Sequence, residues 1–155
     1  MIVFLDTGVL GELSNPNALP KVIACQNWFE KLLARGVYFV SSELCFYEIK
    51  RSLVLSIKTG ATDEGLKKLN ALRTVVDFLD VDQTVVELAA EVWAQARLLG
   101  TPTADEKNID IDMMIVAHWR LLTEEFPGRS VVISTTNVKH LGLFSNAEKW
   151  QDISY

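Results

Sequence analysis

A short apolar run, Ile2-Val3-Phe4-Leu5, ends abruptly at the carboxylate of Asp6. The run is bounded and rich in β-branched and aromatic residues, which is typical of a buried strand. It does not alternate with polar residues, so it favours a strand covered on both faces, as in a parallel sheet. Because ligands of open α/β sheets bind at the carboxyl ends of the strands, we predict that Asp6 belongs to a metal-binding acid cluster there.

Size and composition limit the remaining possibilities. The chain has 155 residues, so we expect residues 1–155 to form one domain. Its two cysteines, Cys25 and Cys45, lack the C-x-x-C spacing of a zinc site and are too few for a disulfide framework. With no signal peptide and no apolar run near the ~20 residues that cross a bilayer, a cytoplasmic protein without a membrane segment is expected. The net charge of −5 argues against broad binding to phosphate backbones, but not against a local site where bound cations reverse the field.

Predicted strands and helices alternate along the chain. This pattern indicates an α/β fold, a three-layer α/β/α sandwich around a central, mostly parallel sheet. Thr84 and Glu87 have the spacing of a capping box, so one helix should begin at Thr84. Residues 75–81 are a strand candidate that could instead extend the preceding helix. The other predicted strands are 2–5, 37–40, 130–134 and 150–153, and the predicted helices are 9–13, 20–36, 43–58, 62–73, 84–99 and 109–125.

Polar side chains suited to a metal lie just past these strands or near the N-terminal ends of helices. They are Asp6, Glu48, Asp112 and Asn137. Carboxylate oxygens are the ligands that Mg²⁺ and Mn²⁺ prefer, and a bound cation relieves the repulsion between neighbouring acids. Such cations promote phosphodiester hydrolysis without a covalent protein nucleophile. Either a metal-dependent phosphodiesterase or a set of unrelated capping residues would explain the four positions.

Four segments together resemble PIN-domain nucleases, most of all the VapC-type toxins of prokaryotic toxin–antitoxin pairs. They cover nearly the whole chain in the family's order. The resemblance lies in Phe4-Leu5-Asp6-Thr7, in residues 40–48 ending at Glu48, in Asp112-Met113-Met114-Ile115-Val116-Ala117, and in residues 132–141 with Thr136 and Asn137.

The resemblance implies a role for each matching residue. Asp6, Glu48 and Asp112 would be the core acids that bind Mg²⁺ or Mn²⁺, and Asn137 would take the fourth catalytic position, which is often Asp in the family. The supporting residues would be Thr7 and Thr136, through hydrogen bonds, and Asp110, as a cap or an outer acid. The implied activity is metal-dependent endoribonuclease cleavage of RNA by the toxin of a type II pair. A homodimer and an antitoxin protein are the implied partners.

The sequence departs from the family in two places. His118-Trp119 replace the small residues usual after the Ile-x-Ala pattern, and the neutral Asn137 would weaken a second metal site. The alternative function is therefore a catalytically weak or inactive PIN-like binding or scaffold module.

Simpler explanations exist for single residues. Asp6 could only cap the next helix, and Arg51 and Ser52 could satisfy Glu48 within its own helix. A basic zone on two consecutive helices could guide RNA or be a solvated face; its residues are Lys50, Arg51, Lys58, Lys67, Lys68 and Arg73. Asp6-Thr7-Gly8 also matches aspartic proteases, but these need two such aspartates and a β-rich chain. Trp28, Phe29, Leu32 and Leu33 exceed one buried stripe, so some are expected to be exposed for a partner.

Overall fold

A computed structural model describes residues 1–100 and 111–155 of the chain. Its centre is a five-stranded sheet in which all pairings are parallel, with the order β3-β2-β1-β4-β5. Ile2 of β1 is in register with Tyr38 of β2 on one side and Val131 of β4 on the other. The strands are β1 (Ile2–Leu5), β2 (Tyr38–Ser42), β3 (Asp77–Leu79), β4 (Val131–Ser134) and β5 (Ala147–Glu148).

Helices connect these strands and complete an α/β/α sandwich, as predicted. The helix α1 (Thr7–Ser14) packs against α2 (Pro20–Leu33), α3 (Glu43–Lys58) and α4 (Glu64–Leu72), and α5 (Gln83–Leu98) packs against α6 (Ile111–Glu125). A short α7 (Val138–Leu141) follows β4, and a 3-10 turn spans Trp150–Asp152. Among the described helices, none has the length and apolarity needed to cross a membrane.

The central strand is buried on both faces, which accounts for its unbroken apolar sequence. All four residues of β1 have no exposed surface. They belong to one hydrophobic core that continues through β2, β4 and the inward faces of α1, α2, α5 and α6. This position places the residue after β1 at the middle of the carboxyl edge of the sheet.

The predictions for the start of α5 and for the last strand were wrong. The N-cap of α5 is Asp82, whose side chain accepts a hydrogen bond from the backbone of Val85 at 3.0 Å, and not Thr84. The last strand is β5, while residues 150–152 form a 3-10 turn. The third strand lies within the predicted residues 75–81, although it has only three residues. The predicted helix start at 109 lies outside the described residues.

The apolar surplus of α2 is packed inward. Phe29 and Leu32 are buried, while Trp28 and Leu33 pack against the core. The indole of Trp28 donates a hydrogen bond to the carbonyl of Ile153 at 3.0 Å. The expectation that some of these four side chains are exposed for a partner is therefore wrong, because all four pack inward and the C-terminal segment contacts Trp28.

Candidate active site

Asp6 stands where β1 passes into α1. Its backbone N–H donates to the carbonyl of Ser134 in β4 at 3.0 Å, and its Oδ1 accepts from the backbone N–H of Thr7 at 2.6 Å. The carboxylate therefore caps α1, as the simpler explanation of this residue proposed. Its second oxygen, Oδ2, is directed to the neighbouring strand, so capping does not use the whole group.

Thr135 binds that second oxygen. Its hydroxyl donates to Asp6 Oδ2 at 2.6 Å and accepts from the backbone N–H of Asn137 at 2.8 Å. One hydroxyl can do both, since it carries one donor and two acceptor sites. Thr135 is fully buried and was missed by sequence reasoning, which favoured Thr136. The signal available was its place directly after the last residue of β4.

Thr7 joins Asp6 to Glu48. Its backbone N–H donates to Asp6, and its hydroxyl donates to Glu48 Oε2 at 2.7 Å. Glu48 lies about a turn and a half beyond the start of α3. Arg51 Nη2 lies 3.6 Å from the other oxygen, Oε1. The structure thus brings two of the predicted acids together, with Thr7 between them.

Burial and a neighbouring charge disfavour the ionised form of the Asp6 carboxylate. Only 8% of the residue is exposed, and burial raises its pKa, with the charge of Glu48 raising it further. Hydrogen bonds from Thr135 and Thr7 lower the pKa and oppose these effects. A cation close to both acids would favour the ionised form.

Cys45 lies beneath this pair and has no exposed surface. Burial, followed by the charge of Asp6, raises the pKa of its thiol to about 12. The thiol is therefore protonated at neutral pH, and Cys45 serves as packing under the site and not as a nucleophile.

Asp112 lies in the first turn of α6 and is half-buried. Trp119 Nε1 donates to the carbonyl of Val131, at the start of β4, at 2.9 Å. Asp112 does not join Asp6 and Glu48 in a group of three that could hold a metal ion, and Asp110 lies outside the described residues.

Asn137 and Thr136 are exposed and close the loop after β4. Asn137 precedes α7, and its backbone, held by Thr135, is the part tied to the site. A Cβ added to Gly8 would lie 2.6 Å from Thr136 Oγ1. The absence of a side chain at Gly8 therefore lets this loop approach the start of α1.

His118 and Trp119, the departure from the family pattern, are both packing residues. The His118 ring stacks on Phe4 with centroids 6.0 Å apart, and His118 is buried. Burial lowers its pKa to about 4, with a small opposing effect of Asp82. His118 is therefore neutral at pH 7 and holds α6 against the central strand.

Within residues 1–100 and 111–155, no group of three His, Cys, Asp or Glu side chains is arranged to hold a metal ion. The arrangement that the structure does contain is the pair Asp6 and Glu48. A pair is compatible with Mg²⁺, which commonly takes one or two carboxylates and keeps several waters. The assignment of Asp6, Glu48 and Asp112 as metal ligands stays a prediction.

Comparisons with known proteins bear on the fold. No protein-family model matches the chain, and neither does any curated protein. Among solved structures, the chain is similar to VapBC2 from Rickettsia felis bound to a DNA fragment from their promoter, with 17% identity, a TM-score of 0.69, and coverage of 97% of this chain and 99% of that one. It is also similar to VapBC-1 from nontypeable Haemophilus influenzae, with 16% identity, a TM-score of 0.62, and coverage of 98% and 100%. The architecture implied by the sequence motifs is confirmed: this chain has a VapC-like PIN fold.

Proposed function

We propose that the protein is a metal-dependent endoribonuclease that hydrolyses RNA phosphodiester bonds. The observation that carries this proposal is the pairing of Asp6 and Glu48 through Thr7 at the carboxyl edge of the sheet, within a VapC-like PIN fold. Burial and mutual repulsion make ionised Asp6 costly, and a divalent cation would offset that cost.

Asp6 and Glu48 would hold Mg²⁺ or Mn²⁺ through their oxygens, with Asp112 as the third acid and Asn137 assisting. The cation would supply Lewis-acid activation of the phosphodiester and of water. Thr135 and Thr7 fix the orientation of Asp6, which leaves the carboxylate little freedom to rotate when substrate binds. An RNA backbone bound at the carboxyl edge of the sheet would lie next to these acids.

The test is cleavage of a mixed structured RNA pool with Mg²⁺, Mn²⁺ or EDTA. Asp6→Asn keeps an acceptor for the Thr7 N–H and removes the charge. We therefore expect this variant to fold and to cut RNA at least about a hundredfold more slowly than the parent. Asp152→Asn is the matched control, because Asp152 is exposed on the terminal 3-10 turn. Cleavage that persists in EDTA, or that Asp6→Asn performs at the parent's rate, would contradict the assignment of Asp6 to a metal-dependent nuclease site.

The cellular role we propose is that of a toxin neutralised by an antitoxin, in a homodimer of the toxin chain. The support is the sequence motifs together with the similarity to the two VapBC structures. Expression of the chain in a bacterial host should arrest growth, and Asp6→Asn should not. Equal growth with both chains, at equal protein levels, would count against a toxin, and light scattering would decide the oligomeric state.

A second candidate function is a PIN-like binding or scaffold module. It is favoured by the lack of a three-residue metal group in the described part of the chain, and by Arg51 lying beside Glu48. Mn²⁺ calorimetry separates the two candidates. A nuclease should bind Mn²⁺, and the ion should raise the melting temperature because it binds the folded state. A scaffold should do neither.

A further inference from the structure

One face of α3 carries an exposed row of aromatic, basic and apolar side chains. Tyr47, Arg51, Leu55 and Lys58 follow one another at spacings of four, four and three residues, and we call them the α3 ridge. At 100° per residue they lie within about 80° of arc and extend about 16 Å along the helix. Tyr47 is 58% exposed and Leu55 64% exposed.

The ridge begins beside the candidate active site. Tyr47 directly precedes Glu48 in α3, and Arg51 contacts both residues. The Arg51 guanidinium lies 5.7 Å from the centre of the Tyr47 ring and 3.6 Å from Glu48 Oε1. A molecule resting on the ridge would therefore be continuous with one bound between Asp6 and Glu48.

The ridge is positively charged on a chain whose net charge is −5. Arg51 is 59% exposed as a side chain, and its ion pair with Glu48 is long. Exposed pairs of this kind contribute little, so Arg51 can exchange Glu48 for a phosphate. Lys58 makes no ion pair with any carboxylate in the part of the chain that the structure describes. By contrast, Arg73 and Lys67 of the basic zone are held by Glu43 and Asp63.

We infer that the α3 ridge binds the single-stranded RNA next to the bond that is cut, with Tyr47 stacking on a base and Arg51 contacting a phosphate. An exposed aromatic ring among cations is how proteins hold single strands, because every base has a face on which to stack. Bases inside a duplex are not accessible to Tyr47, so the ridge selects unpaired segments. This inference rests on the proposed nuclease function and names the form of RNA that it accepts.

The test measures binding of a fluorescent mixed-sequence oligoribonucleotide, single-stranded or annealed to its complement, to the full chain carrying Asp6→Asn to prevent cleavage. On that background, Tyr47→Ala should weaken single-strand binding about tenfold and leave duplex binding unchanged. Tyr47→Phe should restore the affinity, since stacking needs the ring and not the hydroxyl. Arg51→Ala should weaken binding and reduce the slope of log affinity against log salt by about one.

Tyr155→Ala is the matched control, because Tyr155 is 64% exposed and lies away from α3 in the sequence. If Tyr47→Ala binds single strands as Tyr155→Ala does, or weakens duplex binding equally, the ridge is not a stacking platform. If the parent chain cuts RNA but Tyr47→Ala does not selectively weaken single-strand binding, the nuclease proposal is supported and this inference is wrong. If Tyr47 matters for binding but no metal-dependent cutting occurs, the ridge stands and the nuclease falls. A chain that neither binds nor cuts RNA overturns both.

Discussion

At the scale of single residues, Thr135 determines how Asp6 is held. Thr135→Val would remove the donor to Asp6 Oδ2 and the acceptor of the Asn137 N–H. Losing one partner of a buried hydrogen bond costs about 1–3 kcal/mol, so urea unfolding should show a loss of stability of that size. The pKa of Asp6 should rise further, because the lost bond lowered it, and the cleavage rate should reach its maximum at a higher pH.

Thr135→Ser keeps the hydroxyl and should restore both properties. The neighbouring Thr136→Val should change stability little, since Thr136 is exposed. Equal effects of Thr135→Val and Thr136→Val on unfolding would contradict the structural difference between these two threonines.

His118 should make stability fall in mild acid. Burial lowers its pKa from 6.5 to about 4, so between these values the unfolded chain binds a proton that the folded chain does not. Stability is therefore full above about pH 6.5 and is lost as the pH falls toward 4, by an amount on the order of 3 kcal/mol. Urea unfolding at pH 7, 6, 5 and 4 should show this slope in the parent and a shallower one in His118→Gln. Parallel curves for the two chains would assign the loss to other groups.

Asp6 could be predicted because it follows a strand end, and Glu48 because it lies in the helix after the second strand, whereas Thr7 was named only by the resemblance to PIN-domain nucleases. The sequence did not distinguish Thr135 from Thr136. Which of two adjacent threonines points inward depends on the backbone leaving β4, and that path is set by contacts with β1 and β5. Within the described part of the chain the side chain of Asn137 makes no hydrogen bond, whereas its backbone N–H donates to Thr135.

At the scale of elements, α5 allows its two possible caps to be compared directly. Asp82 accepts from the Val85 N–H, whereas Thr84 lies inside the helix. Asp82→Ala should cost about 1 kcal/mol in urea unfolding, and Thr84→Ala should cost less than half of that. The reverse order would restore the capping box that the sequence suggested.

Periodicity predicted the helices well because their buried faces are long enough to show the repeat. The bounds of α3 agree with the prediction from end to end. The edge strands β3 and β5 have three and two residues, too few for a pattern to be recognised. Their pairing comes from neighbouring strands and not from their own sequences.

At the scale of the whole molecule, the central strand should be the last part to open. β1 is paired on both sides and fully buried, whereas β5 is a two-residue edge strand. Amides of β1 should exchange with deuterium only through global unfolding, and those of β5 through local opening. Native-state exchange in low urea measures this, and β1 amides that exchange as fast as those of β5 would show that the sheet does not unfold as described.

The hydrogen bond between Thr135 and Asp6 joins residues 129 apart in the sequence. A ribosome makes Asp6 129 residues before Thr135, so until then the central strand has no complete β4 beside it and Asp6 has no buried donor. Long-range pairing of this kind is formed late, after the entropy of closing a large loop has been overcome. A nascent chain therefore cannot place Asp6 in its final setting until β4 has been made and has paired with β1.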